Sequence, residues 1–255
     1  MPTPINHFKQ ALQSGTPRFG SWLGVADPYM AELVGRAGFD WLLVDGEHAP
    51  NDIRSLMAQL QVLEGLGPDL VVRLPMGEDW LIKQALDIGA QTLMIPMVET
   101  GEQAAHLVRA MRYAPQGIRG MGAALARASQ FSGITDYAAT ANDQMCLIVQ
   151  VETTKGVDNL DDILAVDGVD GVFVGPADLS ADMGYPGNPD APQVQAVIAD
   201  ILRRSRAAGK GAGILSTEDA QTPTHIANGA NFVAVGIDVT LFAAAMRTKA
   251  QTWCG

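Results

Sequence analysis

Cysteine is nearly missing from this chain. There are two in 255 residues: Cys146 inside an apolar run and Cys254 beside the C-terminus. That excludes a disulfide framework and any zinc-finger spacing, and it makes a reducing cytoplasm the expected compartment. Long apolar runs are missing too. No stretch approaches the roughly 20 residues that a membrane helix needs. The opening MPTPINHFKQALQSG lacks the apolar centre of a secretion signal. Neither a membrane partner nor export is expected. Basic residues are scarce: 17 Lys and Arg against 28 Asp and Glu, a formal charge of −11. Nucleic acid, normally met by a basic patch, is therefore not an expected partner. A small anionic substrate remains compatible, because a few local cations or a bound metal outweigh the global field. No GxGxxG turn follows the first apolar run, and no polar linker divides the chain. One domain spanning 1–255 is the expectation.

What is present is an alternation. Eight short apolar runs begin at Arg18, Phe39, Asp69, Gln91, Gln144, Gly171, Gly211 and Asn231. Runs apolar on both faces suit parallel strands covered by helices. Between them lie amphipathic segments with helix-entry signals: Asn51-Asp52, Gly77-Glu78-Asp79, Pro192, and Thr217-Glu218-Asp219 with Pro223 late in its segment. Eight such units in this length predict a closed α/β barrel, (β/α)8, rather than an open doubly wound sheet. The one long interruption runs from Tyr113 to about Ser132, and a connection of that size predicts a binding loop or an interface element.

Chemistry in such a barrel sits at the carboxyl ends of the strands. The second run ends in Asp45-Gly46-Glu47-His48, the third in Arg73 and the fifth in Gln150-Val151-Glu152, while the sixth leads through Gly175-Pro176-Ala177 to Asp178. Each has a bland reading: helix-dipole partner, cap, structural ion pair or turn. Together they place carboxylates, a histidine and an arginine on one rim. Gln150 and Glu152 lie two apart and so point to the same side of a strand. Two carboxylates from adjacent strands suit a hard divalent cation such as Mg²⁺, Mn²⁺ or Co²⁺, with positions left for a chelating 2-oxo acid. Arg73 suits a developing negative charge, and His48 suits proton transfer near neutral pH. Asp45, or Asp87 on the third helix, is a candidate to orient the imidazole. A Schiff-base lysine is the other route to an enolate equivalent. None of the five lysines ends a strand; Lys155 comes closest. His106 and His225 fall in helical segments and are expected to be surface or packing residues.

These motifs resemble the HpcH/HpaI aldolases, pyruvate aldolases of class II. The landmarks are WLLVDGEHAPND from Trp41, VVRLP from Val71, QTLMIPMVET from Gln91, GIRGMGAALARAS from Gly117, VQVET from Val149, GVFVGPADLSADMGYPGNP from Gly171 and VAVGID from Val233. The resemblance implies a barrel of the phosphoenolpyruvate/pyruvate type and reversible cleavage of 4-hydroxy-2-oxo acids to pyruvate and an aldehyde. It also implies His48 as base, Arg73 stabilising the enolate, Glu152 and Asp178 as metal ligands, and Asp87 tuning the histidine. Substrate contacts fall on Gln150, Gly175, Pro176, Ala177, Leu215 and Trp22. A homohexamer that exchanges its last helix is implied as well, although the ending MRTKAQTWCG carries no distinctive motif. Arg119 and Arg127 are candidate partners for a carboxylate at the aldehyde end. Two other readings follow from the same residues: an acyl-CoA lyase like citrate lyase β subunits, and a non-catalytic metabolite-binding barrel.

Overall fold

A computed structural model describes residues 3–254. Eight parallel strands close on themselves in sequence order. They are β1 (Arg18–Leu23), β2 (Trp41–Asp45), β3 (Asp69–Arg73), β4 (Thr92–Ile95), β5 (Cys146–Val151), β6 (Val169–Val174), β7 (Gly211–Leu215) and β8 (Phe232–Ile237). Closure follows from burial. Every residue of β2, β4 and β5 is buried, so these strands need cover on both faces, and only a barrel ringed by helices gives it to all eight.

Alternation along each strand divides the core in two. Leu147, Val149 and Val151 of β5 face the helices and join the outer layer. Cys146 and Ile148 face inward with Trp41, Leu43, Val71, Met94, Phe173 and Phe232. The interior is packed by matching large rings to missing side chains: a Cβ on Gly213 would sit 2.2 Å from the Phe232 ring. At the strand-start end, the helix His7–Leu12 inserts Phe8 and Leu12 into this inner cluster and closes the barrel floor.

Helix starts largely follow their sequence signals. Asp52 caps Ile53–Leu63 in a reciprocal capping box with Ser55, and Pro192 opens Pro192–Ala207 in the first turn. One start differs. The helix after β7 covers only Thr222–Ala227, so Pro223 lies in its first turn rather than late within it. The segment 217–221 stays outside the helix because proline fits only where no intrahelical N–H is needed. The long connection between β4 and β5 contains two short 3₁₀ turns, Ala123–Leu125 and Arg127–Ser129, before the helix Tyr137–Gln144. Among the described residues no helix is long and apolar enough to cross a membrane.

Candidate active site

The inward rows of the strands change character at their carboxyl ends. Trp41 and Leu43 are followed by Asp45, Val71 by Arg73, and Cys146 and Ile148 by Gln150 and then Glu152. The same two-residue period that packs the interior therefore raises a polar layer on top of it. These groups, with Trp22, His48, Asp178 and Leu215, line one cavity of about 750 Å³.

Arg73 is held by three side chains. Asp45, its register partner on β2, accepts from Nε at 2.8 Å and from Nη2 at 2.7 Å. Glu47 meets Nη1 at 2.8 Å, and the guanidinium carbon lies 5.1 Å from the Trp22 ring centroid. A forked carboxylate pair fixes the guanidinium plane and leaves two of its five N–H donors for the cavity. Asp45 Oδ1 also accepts the backbone N–H groups of Glu47 (2.9 Å) and His48 (3.4 Å). Asp45 thus orients the loop that carries His48, rather than the imidazole ring. That ring is 69 % exposed, with Nε2 3.9 Å from Glu47 Oε2.

Glu152 is 3 % exposed. Its Oε1 accepts the Met97 N–H at 2.9 Å, and its Oε2 accepts from Gln150 Nε2 at 3.1 Å. Burial, with the Asp178 and Glu47 charges and against the Met97 N–H and Arg73, pushes its carboxyl up to about 7. Asp178 stands exposed in the first turn of Pro176–Asp182, with no hydrogen bond or ion pair to its carboxylate among the described residues. Gly175 makes the juxtaposition possible, since a Cβ there would lie 2.1 Å from Glu152 Oε2. Two carboxylates, one of them buried, face one cavity. This donor set suits a hard divalent cation.

Two residues at the site were not singled out from sequence. Met97 adopts a left-handed backbone (φ 55°), which turns its N–H onto Glu152. Such a conformation in a non-glycine residue has no local sequence signal. Glu47 stands in the sequence only as one member of the run Asp45-Gly46-Glu47-His48, with no role of its own, yet it holds Arg73. His225 is the packing residue expected of its helix, 3 % exposed, and it also stands on the wall of the cavity, which the sequence does not signal.

Asp87 stands elsewhere. It ends the helix Asp79–Asp87, which runs back to the strand-start end of the barrel, and it accepts from Arg119 Nη2 at 2.6 Å. Within one chain it does not reach His48. Arg119 is buried against Tyr113, 4.3 Å from its ring centroid, and Arg127 binds Glu64 and the Ile88 carbonyl. Both therefore sit away from the rim of their own barrel. Lys155 pairs with Glu99 at 2.8 Å and does not line the cavity.

With this geometry in place, comparison with known proteins is decisive. Residues 18–245 match the family model described as HpcH/HpaI aldolase/citrate lyase. The chain belongs to this family. A hydroxypyruvate/pyruvate aldolase of Roseovarius nubinhibens is 61 % identical over 253 residues, covering 99 % of this chain and 98 % of the relative. A 4-hydroxy-2-oxo-heptane-1,7-dioate aldolase of Salmonella dublin is 54 % identical over 238 residues, 93 % of this chain and 90 % of the relative. An HpcH/HpaI aldolase/citrate lyase family protein of Burkholderia cenocepacia J2315 superposes with a TM-score of 0.93 at 40 % identity, covering 98 % of this chain and all of the other. This HpcH/HpaI family member is accordingly a carbon–carbon lyase of the aldolase type.

Proposed function

We propose that the protein reversibly cleaves 4-hydroxy-2-oxo acids into pyruvate, or a close 2-oxo acid, and an aldehyde, with a divalent cation (Mg²⁺, Mn²⁺ or Co²⁺) held by Glu152 and Asp178. One observation carries this reading: a single cavity gathers two ligand carboxylates, a fixed arginine, a histidine and Gln150 at the strand ends. When bound, the cation supplies a Lewis acid that withdraws charge from the 2-oxo acid. Arg73 turns its two spare N–H donors toward the oxygen on which negative charge develops, and Asp45 and Glu47 keep that fork in place before substrate arrives. His48 moves a proton to and from the reacting carbons and hydroxyl. Gln150 and the segment Gly175-Pro176-Ala177 position the acid, while Trp22 and Leu215 form apolar walls. A cavity lined by one arginine and no lysine offers little to the phosphates of a CoA thioester, which favours the aldolase over an acyl-CoA lyase.

We also propose that several copies assemble, with a hexamer expected. The last helix, Asp238–Cys254, is exposed beyond its first residue except at half-buried Ala243, with Leu241, Phe242, Met246 and Trp253 uncovered. An apolar face of that kind seeks a partner. In such an assembly Asp87 of one copy is free to serve His48 of another.

The test is pyruvate release from a panel of 4-hydroxy-2-oxo acids, together with solvent exchange of pyruvate C3 protons. Both should need added cation, and both should fall by more than 100-fold in Glu152→Ala and Asp178→Ala at unchanged helix content. Undiminished turnover after full chelation would overturn the reading.

A further inference from the structure

The cavity is larger than a three-carbon acid and a small aldehyde require. From Glu152 and Asp178 it continues past Leu215 and Ser216 into a chamber between the helices Pro192–Ala207 and Thr222–Ala227. His225 lies on its wall, 3 % exposed, and its imidazole hydrogen-bonds no described residue. Burial holds the ring below the usual histidine range, against the pull of Asp190, so near neutral pH it presents one donor and one acceptor. At the chamber mouth Gln221 Nε2 donates to Asp190 Oδ1 at 2.7 Å. Gln195 Nε2 donates to the Pro189 carbonyl at 2.9 Å, tying the loop after β6 to the adjoining helix. Ser216 and Thr222 share a hydroxyl contact of 3.0 Å on the same side.

Two features of this wall bear on the substrate. The ring nitrogens of His225 are not sealed in the protein but open on the cavity, where a ligand group can take the place of water. The charges near it, Asp190 and Glu218, are negative, and the cavity's single cation, Arg73, is already engaged by Asp45 and Glu47. Hydroxyl groups meet acceptors here, whereas a carboxylate meets like charge.

We propose that His225, with Asp190, Gln195 and Gln221, forms the subsite for the tail of the aldehyde, and that it selects neutral, hydroxylated aldehydes over carboxylated ones. This inference rests on the aldolase reading above. It names the residues that discriminate among acceptors, none of which touches the bond that is made or broken.

The experiment follows aldol addition of pyruvate to three acceptors: erythrose, which carries hydroxyls, propanal, which carries none, and succinic semialdehyde, which ends in a carboxylate. The unmodified oligomer is expected to favour erythrose over each of the others in kcat/KM by about tenfold or more. His225→Leu should reduce the erythrose-to-propanal ratio about tenfold, chiefly through KM for erythrose. Asp190→Lys, which places a cation at the mouth, should shift preference toward succinic semialdehyde; it lies on the surface and keeps the test decisive if His225→Leu does not fold. Equal kcat/KM for all three acceptors, or ratios unmoved in both variants, would overturn the subsite. Absence of cation-dependent C3 proton exchange with pyruvate alone would instead overturn the aldolase reading beneath it, so the two failures are distinguishable.

Discussion

At the residue scale, one buried and one half-buried acidic group show how surroundings decide what a carboxylate does. Glu152 can occupy its place because residue 175 has no side chain. Gly175→Ala puts a carbon 2.1 Å from Glu152 Oε2, so the carboxylate or the end of β6 must shift. The expected result is a loss of pyruvate release of about 100-fold with a small change in thermal midpoint, read by coupled assay and calorimetry. Asp170 on β6 is half-buried outside the site, accepts the Leu147 N–H at 2.9 Å and lies 3.7 Å from Lys9. Burial raises its carboxyl above the ordinary value, opposed by Lys9 and that N–H. The folded state then binds this proton more tightly than the unfolded one. The contribution is neutral below the unfolded pKa of about 4 and becomes destabilising as pH rises through the folded value. Asp170→Asn mimics the protonated form. It is expected to be more stable than the parent at pH 7, with the gap closing toward about pH 4. Denaturant midpoints at the two pH values check this, and a gap of the opposite trend rejects it.

At the scale of elements, the connection from β2 to the helix Ile53–Leu63 governs how firmly His48 is presented. Asn51 ties it at both ends: its Nδ2 donates to the Asp45 carbonyl at 2.7 Å, and its Oδ1 accepts from Ser55 Oγ at 2.7 Å and Gln59 Nε2 at 2.8 Å. Asn51→Ala cuts all three. It is expected to cost roughly 1–3 kcal/mol of stability and to lower kcat about tenfold with little change in cation affinity. Urea titration and steady-state kinetics measure the two effects separately. This element was readable beforehand, because Asn51-Asp52 is a helix entry in any context. The entry after β7 was not. Thr217-Glu218-Asp219 carries the same kind of signal, but the chain stays irregular there and the helix waits for Pro223 in its first turn.

For the whole molecule, the exposed last helix is the feature a lone barrel does not explain. Phe242→Asp places a charge on the uncovered face without touching the cavity lining. Light scattering is expected to show a smaller species than the parent, with circular dichroism unchanged. An unaltered mass would exclude this helix from the interface. Activity should fall with mass if Asp87 serves His48 across copies. It should persist if each barrel is self-sufficient.

The sequence by itself determined the barrel and most of its rim. Period-2 burial in eight short runs dictates which side chains point inward, and whatever follows the last apolar inward residue must sit at the mouth, as Arg73, Gln150 and Glu152 do. Only the tertiary structure decided the rest, because those facts depend on which distant segments meet. It pairs Asp45 with Arg73 rather than with the His48 ring, and it carries Asp87 and Arg119 to the opposite end of the barrel. It turns the Met97 N–H onto Glu152 and buries His225 in the cavity wall. Local periodicity specifies the direction of a side chain; it does not specify the neighbour waiting there.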